Sequence, residues 1–62
     1  MKAEVVNIRT NHPVVGRYIV VKVDQDYGVL QTDKHEHLFD CLAIGDEIDV
    51  ARQKFNPNFV PI

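Results

Sequence analysis

Arg17-Tyr18-Ile19-Val20-Val21-Lys22-Val23-Asp24 is the stretch whose reading decides the fold. It is rich in β-branched side chains, which suit a pleated, half-buried strand. Alternation sets Ile19, Val21 and Val23 on one face and Tyr18, Val20, Lys22 and Asp24 on the other. Downstream, Asp24-Gln25-Asp26 precedes Tyr27-Gly28, and Val29-Leu30-Gln31-Thr32 resumes an extended pattern, so the two runs are expected to pair as a hairpin. Upstream, Ala3 to Arg9 reads as another strand. There Ala3 and Val5 alternate with Glu4 before the phase slips to Val6 and Ile8, and a bulge near Val5-Val6 explains the slip. Thr10-Asn11-His12-Pro13, followed by Gly16, reads as the intervening loop.

The stretch from Asp33 to Ile44 admits two readings. In one, Asp33 caps a short helix with Glu36 reciprocating, and Leu38 and Leu42 share a helical face; in the other, His37-Leu38-Phe39 is a strand. The helical turn is favoured. Ile44-Gly45-Asp46-Glu47 then supplies a turn into Glu47-Ile48-Asp49-Val50, a strand with Ile48 and Val50 inward. The tail from Lys54 to Ile62 is too apolar to be a solvated end and is expected to dock on the rest. Pro57 and Pro61 cannot donate to a ladder, which restricts any strand there to an edge or to very few residues. The expectation is a single mainly β domain over residues 1–62, a small barrel of four or five antiparallel strands with at most one short helical turn around residues 34–43.

Sixty-two residues leave room for one core. Hydrophobic residues at 45% and charged residues at 26% are the composition of a folding domain and not of a disordered chain. The single cysteine, Cys41, excludes an intramolecular disulfide, so stability must come from packing or self-association. A lone thiol, the lack of a secretory pattern and an apolar run no longer than Ile19-Val20-Val21 point to the cytoplasm and away from the membrane. The net charge of −2 offers no bulk attraction to phosphate backbones, so any nucleic-acid contact must rest on a local basic patch.

Three segments together resemble the skeleton of oligonucleotide-binding-fold domains: Gly16 to Val23, Gly28-Val29-Leu30, and Leu42 to Val50. The same skeleton is also similar to Src-homology-3-like barrels. The resemblance covers roughly residues 16 to 50 and consists of hydrophobics and glycines. It implies a small barrel whose second and third strands carry the ligand on their outer face. The aromatic motifs of cold-shock domains are not present.

That outer face is the main candidate site. With Ile19, Val21 and Val23 inward, Tyr18, Val20 and Lys22 stand outside, and Tyr27 and Val29 join them from the next strand. Tyrosines stack bases while Arg17, Lys22, and Arg9 or Arg52 meet phosphates in binders of single strands. Cross-strand tyrosine pairing also stabilises hairpins with no ligand at all. Alternatively, exposed Tyr18, Val20, Tyr27 and Val29 form an apolar patch for a protein partner or a second copy, as a homodimer.

The remaining motifs are weaker. His35 and His37, with Asp33, Asp40, Cys41 and His12, are metal-ligating types without the paired spacings of a zinc site. Cys41 is read as a buried residue packed with Leu38 and Leu42, and no cofactor or catalytic group is expected. The sequence thus points to a non-catalytic binding module whose partner, nucleic acid or protein, is left open.

Overall fold

A computed structural model describes residues 1–14, 16–54 and 57–62. Its elements are β1 (Lys2–His12), β2 (Gly16–Val23), β3 (Asp26–Leu30), α1 (Leu38–Cys41), β4 (Glu47–Arg52) and β5 (Phe59–Pro61). The strands close into a barrel in the order β1-β2-β3-β5-β4. This is a small five-strand barrel, compatible with either of the two barrel families that the sequence resembles.

The alternation of β2 holds throughout. Ile19, Val21 and Val23 are at most 2% exposed, and with Ala3, Val5, Leu30, Val50 and Phe59 they form the core. Burying each larger aliphatic or aromatic side chain stabilises the fold by about 1.5–3 kcal/mol. The β2–β3 hairpin is tighter than the sequence suggested, because Val23 pairs with Asp26 and only Asp24 and Gln25 form the loop. Asp24 carries the left-handed conformation, φ 55°, which a short polar side chain tolerates. β1 is longer than expected and runs to His12, which leaves fewer residues to the loop that follows.

The bulge near Val5-Val6 is present: Val5 faces Val21 and Asn7 faces Val20, with Val6 as the extra residue. It restores Ile8 to the inner face, opposite Ile19, and bends β1 so that one strand serves two neighbours. Lys2 to Glu4 pair with β4, and Glu4 to His12 pair with β2. The amino terminus extends the first ladder, Met1 donating to the Val50 carbonyl at 2.9 Å and accepting from the Val50 amide at 2.8 Å.

Three expectations are corrected. Not every pair is antiparallel, because β5 lies parallel to β3 through Leu30 and Phe59 and antiparallel to β4. A parallel pair needs a long crossover, and here α1 and β4 supply it. The helical reading of residues 34–43 holds, but Asp33 is not its cap. The turn begins at Leu38 with His37 in the capping position and no side-chain cap bond. It is prepared by three-residue turns, with the amides of His35, Leu38, Phe39 and Asp40 donating to carbonyls three positions earlier. Leu38, Phe39 and Leu42 pack on the core, which turns Asp40 and Cys41 outward. Cys41 is therefore exposed, not buried as the sequence suggested.

The docked tail is a strand of three residues, Phe59 to Pro61; Phe55 and Asn56 lie outside the described residues. Among the described residues no helix is long and apolar enough to cross a membrane.

Phe59 occupies the space that Gly28 leaves. Gly28 faces Val21 across the ladder and so points inward, and a Cβ there would stand 2.5 Å from a ring carbon of Phe59 and 3.0 Å from the Pro57 carbonyl oxygen. Gly28→Ala is expected to lower stability by about 1–3 kcal/mol through overpacking. Urea denaturation checks this, and in the Gly28→Ala background Phe59→Leu should cost less than it does in the parent chain.

Candidate functional site

The residues of β2 that do not enter the core form cross-strand rows on the outer surface. Arg9 of β1 lies opposite Tyr18. Asn7, Val20 and Val29 make a second row, and Glu4, Lys22 and Tyr27 a third. Tyr18 and Lys22 are four residues apart on one strand, so the first and third rows are separated by about 13 Å. The ammonium of Lys22 sits 5.5 Å from the Tyr27 ring centroid. The His12 ring meets Tyr18 edge to face, centroids 5.6 Å apart and planes at 84°. The Val14 amide donates to Nδ1 of His12 at 3.1 Å, which ties the loop after β1 to this aromatic pair.

Of the six residues that the sequence pointed to, Tyr18, Val20, Lys22, Tyr27 and Val29 thus share one face. Only Tyr27, 65% exposed, is fully open; Tyr18, Val20, Lys22 and Val29 are half-buried. The apolar patch imagined for self-association is correspondingly smaller, since β1 flanks the middle of the face.

Arg17 departs from the group. It shares the inward phase of Ile19 but sits at the barrel end, where its guanidinium carbon lies 4.3 Å from the Phe39 ring centroid of α1. It still joins the site from above. An open groove of about 1030 Å³ is lined by His12, Arg17, Tyr18, Val29, Asp33, Glu36 and Phe39 among others.

The arginines separate. Arg9 belongs to the Tyr18 row, whereas Arg52 stacks on Phe59 at 5.1 Å and contacts Asp26 at 3.3 Å, so its charge is matched elsewhere. Lys2 is similarly matched by Asp49 at 3.2 Å. Arg9, Arg17 and Lys22 enter no ion pair among the described residues. Glu4 in the Lys22 row and Asp33 and Glu36 along the groove offset these three cations in number.

His12, Asp33, Glu36 and Phe39 were not assigned to this face by sequence reasoning. Period-two alternation identifies residues within strands, but Asp33 and Glu36 lie in turns whose path has no period and Phe39 in α1. The length of β1 would have brought His12 in, had its strand been extended past Arg9. The rings of His35 and His37 lie 6.0 Å apart, and among the described residues no group of three or more His, Cys, Asp or Glu side chains is arranged to hold a metal ion.

Comparison with known proteins finds no matching family model, no similar curated protein and no similar solved structure.

The Arg17–Phe39 stack is expected to couple the hairpin to α1. A double-mutant cycle of Arg17→Met and Phe39→Leu should return a coupling of about 0.5–1 kcal/mol, measured from denaturation midpoints, with additive effects counting against the stack.

Proposed function

We propose that this chain is a non-catalytic oligonucleotide-binding-type barrel that holds single-stranded nucleic acid across the outer face of β2 and β3. One observation carries the reading: Tyr18 beside Arg9 and Tyr27 beneath Lys22 lie on the same face, with Arg17 at its upper end. Binders of single strands combine stacking aromatics with cations that follow the backbone. The strand order supports the finer assignment, because the ligand face of such barrels is formed by the second and third strands and flanked by the loop between the first two. In this chain that loop abuts Tyr18 through His12. A cytoplasmic location belongs to the same reading, in keeping with the exposed free thiol of Cys41.

The net charge of −2 offers no bulk attraction, so the proposal relies on individual cations that are not matched by ion pairs. Lys2 and Arg52 are bound to carboxylates away from the face, and the cations on it are not. A modest affinity with marked salt dependence is expected.

Anisotropy of a fluorescent, unstructured oligonucleotide titrated with the protein tests the proposal. Tyr18→Ala and Tyr27→Ala should each weaken binding by about 1–3 kcal/mol. Lys22→Ala should reduce the slope of log affinity against log salt by about 0.7. No anisotropy change at low salt would remove nucleic acid as the ligand; a concentration-dependent dimer lost on Val20→Ser would instead assign the face to self-association.

A further inference from the structure

We infer that the outer face of β2 and β3 seats three consecutive nucleotides unstacked, one on each cross-strand row, with the first and third bases on Tyr18 and Tyr27. This rests on the function proposed above and specifies the spacing of the bases that its ligand must present. The rows are Arg9 with Tyr18, then Val20 with Val29, then Lys22 with Tyr27.

Successive rows are two residues apart on β2, a repeat of about 6.6 Å along the strand. A stacked nucleic-acid strand advances about 3.4 Å per nucleotide, and one drawn out until its bases part advances about twice that. The pitch of the rows is therefore that of an extended strand. Direction follows from the same register. Tyr18 and Tyr27 are about 13 Å apart along the strands but only about 5 Å apart across them, so a ligand that touches both rings runs mainly along β2.

The chemistry of the rows alternates with the same period. Each outer row holds a ring and a cation: Arg9 faces Tyr18 across the ladder, and the Lys22 ammonium lies 5.5 Å from the Tyr27 ring centroid. A base stacks on such a ring while the neighbouring phosphate meets the cation. The middle row offers Val20 and Val29, half-buried and with neither a ring nor a charge. A base there gains little beyond apolar contact, so the middle nucleotide acts chiefly as a spacer between two stacked ones.

The test uses labelled strands of one fixed length, and so of one charge, abasic throughout except for two thymines separated by zero, one, two or three abasic residues. Anisotropy titrations should give the tightest binding with one abasic residue between the thymines, about tenfold tighter than with adjacent thymines. In Tyr18→Ala and in Tyr27→Ala the dependence on spacing should vanish. Tyr27 is 65% exposed, so its replacement leaves the core untouched, and binding of a single-thymine strand through Tyr18 shows that this variant is folded. Equal affinity at all four spacings, an optimum at another spacing, or an optimum that survives in Tyr27→Ala overturns the inference, while a bound all-thymine strand of the same length keeps the proposed function standing. No binding even of the all-thymine strand overturns both.

Discussion

A barrel this small closes only if something large fills the gap between its third and fourth strands, and in this chain that is Phe59. The ring lies against the bare backbone of Gly28 and beneath the Arg52 guanidinium, while its carbonyl accepts from the Gln31 amide at 2.7 Å. No disulfide contributes. Alternation and register then decide which side chains of β2 and β3 share the outer surface. The candidate site is thus a consequence of packing on the opposite side of the same two strands.

Charge follows a complementary arrangement. Carboxylate partners hold Arg52 and Lys2 where β4 meets its neighbours. The cations near Tyr18 and Tyr27 meet aromatic rings instead. A guanidinium or ammonium over a ring keeps its full charge available to an anion, whereas one bound to a carboxylate does not. Arg17 and Lys22 are thereby held by rings and not by carboxylates.

Much of this was legible in the residues, for reasons that also explain where legibility ended. The inward set of β2, the bulge at Val6 and the strand into Val50 followed from alternation, because a half-buried strand exposes one residue in two. The parallel seating of β5 did not follow, since strand direction depends on the path of the crossover and leaves no periodic trace. The phase of Arg17 was legible but its direction was not: at a barrel mouth an inward side chain need not enter the core, and this one lies over Phe39. Cys41 was misjudged because its neighbours Leu38 and Leu42 are apolar. In a single turn whose contacts also include Phe39, Cys41 is displaced to the far side. Asp33 was assigned a capping role that local spacing allows, yet the helix starts at Leu38, beyond its reach.

The pairing of Lys2 to Glu4 with β4, and of Leu30 with Phe59, joins positions far apart along the chain. Loop-closure entropy must be met before such contacts stabilise anything. The β1–β2 and β2–β3 hairpins are the units that can form from neighbouring residues. Lys2 to Glu4 must wait for Glu47 to Asp49 of β4, and Leu30 for Phe59. Closure of the barrel is therefore expected to follow the two hairpins in folding.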